Sequence, residues 1–210
     1  MKAKRYTVTI ALALAVMVIG GAAIAADHRE PSTTDVQSTY WFADESDAGG
    51  KSILTRTDAM VVATVEAANM VPGDVHTHWF VVFNEPGECS DDVCGEDDIF
   101  TPDGDLNEEG IVAAQIAIGN ASGNVAKHNG TAEFGAVLRQ GVNDDHQVLF
   151  PAGFDGASLL TADPDDAEVH LIVQTHGQTR GGPQLALQLA YVEAACTPLC
   201  GDIQFSVHTP

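Results

Sequence analysis

The sequence predicts an all-β protein: an antiparallel β-sandwich, with a β-barrel as the alternative closure. Three observations carry that expectation. Short segments alternate apolar and polar residues, as half-buried strands do. The 20 glycines of the 210-residue chain supply frequent turns between them. No long segment has the 3.6-residue period of an amphipathic helix.

Taken in order, the first 25 residues read as a secretory signal peptide. Lys2, Lys4 and Arg5 form a basic start, residues 8–19 are apolar, and Ala23-Ile24-Ala25 offers small residues for cleavage. The apolar run is shorter than the roughly 20 residues a membrane span requires. The mature chain is expected to begin near Ala26 and to be secreted or periplasmic, without membrane insertion once the signal is removed. Residues 26–50 are polar and read as a flexible leader. Residues 51–210 read as one β-sandwich domain.

Within that domain, residues 60–65 are rich in β-formers, and Pro72-Gly73 marks a turn. Residues 75–84 make the best strand. Val75, Thr77, Trp79, Val81 and Phe83 share one face; His76, His78, Phe80 and Val82 share the other. Both faces are apolar toward the strand's end, which predicts a central position in a sheet. Residues 85–110 form a long acidic loop, and such a loop is either functional or held by something. Residues 111–118 are compatible with a strand or a short helix. Alternation resumes at 131–139 and 168–176, and further strands are expected at 184–191 and 203–208.

Charge is the strongest compositional signal. All 30 acidic residues follow Ala26 and only six basic residues accompany them, so the mature chain carries a net charge of −24. Such a surface repels nucleic acid and anionic membranes and attracts cations. The four cysteines fall into two close pairs, Cys89 with Cys94 and Cys196 with Cys200. In an oxidising compartment each pair is expected to close a local disulfide; a four-thiolate zinc site would use other spacings.

The segment Val75-His76-Thr77-His78-Trp79-Phe80-Val81-Val82-Phe83-Asn84-Glu85-Pro86, followed by Cys89 and by Cys94-Gly95-Glu96-Asp97-Asp98, resembles a group of uncharacterised secreted bacterial proteins. A later segment from that group is matched by Glu168-Val169-His170-Leu171-Ile172-Val173-Gln174-Thr175-His176-Gly177. That resemblance spans most of the mature chain and implies no activity. A second, looser resemblance is to the CHRD domain, an extracellular β-sandwich module. His76-Thr77-His78 echoes its early strand, and Val169-His170 with Thr179-Arg180-Gly181-Gly182 and Leu185 echoes its later one. The later match is gapped. The His-x-His strand also resembles the copper-ligand strand of copper/zinc superoxide dismutases, although the further ligands and intersheet disulfide of that family are not matched.

Two metal constellations deserve testing against a structure. His76 and His78 leave one strand on the same face and can converge on copper or zinc. His170 or His176 could join them, but not both, since they lie about 20 Å apart along an extended strand. His208 or a carboxylate could complete the set. In the acidic loop, Asp103, Asp105 and Asn107 alternate as calcium-binding oxygens do. Ala114 stands where an EF-hand has its glutamate, so this is not an EF-hand. Glu96, Asp97 and Asp98 could act as acid and base beside a histidine, yet no nucleophile elbow is present. The expected function is therefore a binding or structural role, with the ligand and any protein partner unassigned. The alternatives are a copper- or zinc-binding periplasmic protein using His76 and His78, or a metal-dependent oxidoreductase of dismutase type.

Overall fold

The computed structural model describes residues 32–91, 93–142, 148–150, 158–190 and 200–210, with only the backbone described at 148–150. The expected signal peptide lies outside these residues. The strands are β1 (Thr33–Trp41), β2 (Asp47–Thr57), β3 (Met60–Ala67), β4 (Asp74–Phe83), β5 (Ile116–Val125), β6 (Ala132–Arg139), β7 (Val148–Phe150), β8 (Glu168–Gln178) and β9 (Gly201–His208). The helices are α1 (Glu96–Ile99), α2 (Glu108–Ala113) and α3 (Gly182–Ala190).

All strand pairings are antiparallel, in the order β6-β3-β2-β1-β9-β8-β4-β5-β7. The all-β class is as the alternation predicts. The eight long strands form one sheet curled until it is nearly a barrel, the second of the two expected closures. Its two ends approach where β5 turns into β6: Asn124 Nδ2 donates to the Glu133 carbonyl at 2.7 Å. Curling protects strand edges that would otherwise stay unpaired.

The barrel interior is the larger core. Phe80 and Val82 from β4 meet Val169, Leu171 and Val173 from β8 and Leu54, Val61, Phe134 and Leu138 from the opposite wall. Burying each such large side chain contributes about 1.5–3 kcal/mol. β4 is central, between β5 and β8, and every residue from Val75 to Phe83 is buried. Its outer face belongs to a second core, in which Trp79, Val81, Phe83 and Ile172 lie under Ile99, Ile111 and Ala114.

Two expected elements are corrected. The polar segment read as a flexible leader contains β1, paired along β2 and, at Tyr40 and Trp41, with β9. Its Thr, Val, Tyr and Trp residues are β-formers, but its residues, half-buried or exposed apart from Thr39, show no apolar alternation. Residues 184–190, read as a strand, belong to the helix α3. Leu185, Leu187 and Leu189 mimic a period of two. Pro183 in the first turn and the run of Ala, Leu and Gln favour a helix. Gln188, the buried residue of α3, donates to the carbonyls of His176 and Gln178 and accepts from the Arg180 N–H, fastening the helix to the end of β8. The ambiguous stretch 111–118 is both things: α2 ends at Ala113, Gln115 turns the chain at φ 47°, and β5 starts at Ile116.

Candidate functional site

The long acidic loop is held at its base, its middle and its tip. At the base, the Asn84 side chain accepts from the N–H groups of Thr161 (2.7 Å) and Ala162 (3.1 Å) and donates to the carbonyls of Gln115 (2.9 Å) and Leu159 (3.2 Å). One buried amide thus joins three segments distant in sequence. The Glu85 N–H bonds the Ala114 carbonyl at 3.0 Å, so the loop leaves and returns at adjacent points.

In the middle, Cys89 and Cys94 form the expected disulfide. Asp98, buried beneath it, accepts from the N–H groups of Ser90 (2.7 Å) and Gly95 (2.9 Å). Asp97 accepts from the Ser90 hydroxyl at 2.9 Å. The Cys94 N–H then reaches the buried Glu168 carboxylate at 3.0 Å, and the same oxygen lies 2.7 Å from His170 Nε2. These contacts pin the loop to β8. At the tip, Asn107 caps α2 by accepting from the Gly110 N–H, and it donates to the Asp97 carbonyl.

Between this loop and the outer face of β4, β8 and β9 lies a cavity of about 520 Å³. That is within the range of small-molecule sites. Its wall is mostly apolar, with Trp79, Phe100, Ile172 and Phe205 prominent. The Trp79 indole N–H donates to Thr77 Oγ1 at 2.8 Å, so its polar atom is satisfied away from the cavity. The exposed Phe42 packs against Phe205 with ring centres 5.0 Å apart and planes tilted by 56°.

Apart from Gln174 and His170, the polar side chains of the wall are acidic. Glu45, Glu96 and Asp202 stand at the solvent-accessible rim. Glu45 sits in the turn between β1 and β2 with φ 56°, a backbone conformation that favours glycine. Asp202 keeps solvent access, but the wall withholds enough water to push its carboxyl above the usual range. A hydrogen bond from Gln174 opposes that push, and the charge of Glu96 adds to it. Among the described residues lining the cavity there is no lysine or arginine.

The histidines divide between the two sides of the sheet. His76 and His78 follow Phe80 and Val82 into the barrel; His170 and His176 follow Ile172 outward. Both inner rings are buried, and His78 packs against Phe80 and Phe134. Neither ring nitrogen of His76 has a hydrogen-bond partner among the described residues, and burial, with the nearby His176, lowers its pKa to about 4. His176 is fixed differently: Nε2 lies 2.8 Å from Thr77 Oγ1 and Nδ1 3.1 Å from Cys200 Sγ. Cys200 is itself disulfide-bonded, so its sulfur has no proton and the Nδ1–H is the donor. Cys196, its expected partner, lies outside the described residues. His208 is sealed in the barrel between Ser52 and Asp35, at 2.8 and 2.7 Å. Burial lowers its pKa, against the pull of Asp35.

The expected shared site of His76 and His78 with His170 or His176 is therefore not assembled by the described residues. Their one group of three ligand-type side chains with donor atoms within 4.8 Å is Cys89, Cys94 and Asp98. Its two sulfurs are bonded to each other, and Asp98 is engaged by backbone N–H groups. Asp103 and Asp105 are exposed, and Asn107 is used as a helix cap.

Sequence reasoning found the loop and His170 but missed the cavity. The available signal was the outer face of β4: Trp79, Val81 and Phe83 on the side opposite the barrel require a cover. Glu168 and Asn84, buried polar residues at the ends of apolar strands, supply its anchors. Among the described residues no helix is long and apolar enough to cross a membrane. No family model matches the chain, and comparison with curated proteins and with solved structures gives no significant match.

Proposed function

We propose that this protein is a secreted binding protein that takes up a small, largely apolar molecule in the cavity between its disulfide-closed loop and the outer wall of the barrel. The observation that carries the reading is the loop-covered cavity of about 520 Å³, with Trp79, Ile172 and Phe205 in its wall. A protein that needed the loop only as packing would close it onto the sheet. Here buried contacts at Asn84, Asp98 and Glu168 hold it over the space instead.

Binding fits the chemistry of the wall better than turnover does. The described lining offers no hydroxyl nucleophile, Cys94 is in a disulfide, and His170 is turned toward Glu168. The expected export signal and the Cys89–Cys94 disulfide agree with a role outside the cytoplasm.

Titration with the neutral dye Nile red tests the reading. Saturable uptake of one dye per chain is expected. It should be lost in Val207→Trp, which places a bulky ring at a half-buried position of the wall, while the far-ultraviolet circular dichroism stays unchanged. Uptake that is absent in the native protein, or that persists in that variant, overturns it.

A further inference from the structure

We infer that the occupant of this cavity is a cation: a small amine whose apolar body lies against Trp79, Phe100 and Phe205 while its charged end meets the rim carboxylates Glu45, Glu96 and Asp202. The inference rests on the cavity reading above and adds the ligand's charge.

The rim is the first argument. Three carboxylates come from three separate parts of the fold: the turn between β1 and β2, the start of α1, and β9. None of them is in an ion pair among the described residues. The Glu96 carboxylate instead makes ionisation of Asp202 less favourable. A bound cation relieves that repulsion, and a bound anion aggravates it.

The wall is the second argument. An ammonium group is drawn to the faces of aromatic rings as well as to carboxylates. Trp79 contributes its ring with the indole N–H already satisfied elsewhere, and Phe100 and Phe205 carry no polar atom. The one lining histidine, His170, lies against Glu168 and is not needed to compensate the rim.

The long-range field is the third argument. The net charge of −21 for the whole chain draws cations toward the protein and slows the approach of anions. Field alone gives no preference for this cavity, so the test must separate local from global attraction.

The probes are phenylbutylamine, phenylbutanol and phenylbutyrate, which share one apolar body and differ in charge, measured by calorimetry at low and high salt. The amine is expected to bind about tenfold more tightly than the alcohol, a difference of about 1.4 kcal/mol, and the carboxylate more weakly than either. Glu96→Gln with Asp202→Asn should bring amine and alcohol to equal affinity. Glu45→Gln, at an exposed turn, should reduce the ratio in part. Asp58→Asn with Glu133→Gln removes the same charge from the turn between β2 and β3 and from β6, at exposed positions outside the cavity lining, and should leave the tenfold ratio intact. Equal binding of amine and alcohol to the native protein overturns the cation preference while the cavity stands. A ratio equally reduced by the distant pair shows global attraction only and also overturns it. Failure of all three probes, together with failure of Nile red, removes the cavity reading itself.

Discussion

The two faces of β4 show what one strand does when both sides are buried for different reasons. Its inner face packs the barrel: Phe80 and Val82 are fully buried in a core drawn from most of the strands. Its outer face is covered by α3 near the strand's start and by an excursion of the chain, residues 84–115, toward its end, where a cavity remains. The inner core is made by strand pairing, so its space is filled as the sheet curls. The outer one is made by a loop hung from a few polar anchors, and it can retain space. Apolar burial alone therefore does not separate a filled core from one that retains space; the manner of covering does.

That comparison can be broken most decisively from the inside. Phe80→Ala is expected to lose about 3–5 kcal/mol, the usual range for emptying a large aromatic site in a core, as measured by urea denaturation. Phe205→Ala, in the half-buried outer wall, should cost clearly less while weakening Nile red uptake. Equal losses would mean that the outer layer is as integral as the barrel.

Acid sharpens the contrast. His76 has a folded pKa of about 4 against an ordinary value of 6.5. Above pH 6.5 the ring is neutral in both states and has no effect on the balance. As pH falls from 6.5 toward 4, the unfolded chain takes up a proton that the folded one refuses, and about 3 kcal/mol of stability is lost. His176 and His208, also lowered by burial, act in the same direction. Denaturation midpoints between pH 7.5 and 4.5 should drop, and His76→Leu should flatten the drop.

The disulfide comes next. Replacing Cys89 and Cys94 by serine removes a short loop closure worth about 2 kcal/mol. The larger expected consequence is functional: Nile red uptake should fall, while near-native strand content persists by circular dichroism. The smallest effect is expected at Asp103→Asn and Asp105→Asn, exposed substitutions that should shift stability by no more than about 0.5 kcal/mol. The melting temperature should be the same in chelator and in millimolar calcium.

How legible these regions were follows the same division. β3, β4, β6, β8 and β9 were readable because their alternation or β-rich composition reports burial directly. β1 was not, because its half-buried positions carry mainly polar residues and its place is set by pairing with β2 and β9. α3 was misread because three alternate leucines imitate a strand, while Gln188, the residue that docks it, is polar. For the site, the loop and its cysteines announced themselves. The cavity did not, since Phe42, Trp79, Phe100 and Phe205 are brought together only by the curl of the sheet and the return of the loop. The His76 and His78 pair was visible for the opposite reason: residues two apart on a strand always share a face, whether or not anything else faces them.

The Asn84 amide has one further consequence. Because it ties the root of the excursion to Gln115 and to Leu159, Thr161 and Ala162, and because Glu85 meets Ala114 directly, the intervening thirty-odd residues begin and end at one fixed point. The register of β4 against β5 is thus held at the root of the excursion as well as along the strands. On the proposed binding role, the segment between positions 85 and 114 is where sequence change would alter the ligand while the strand pairing beneath is kept.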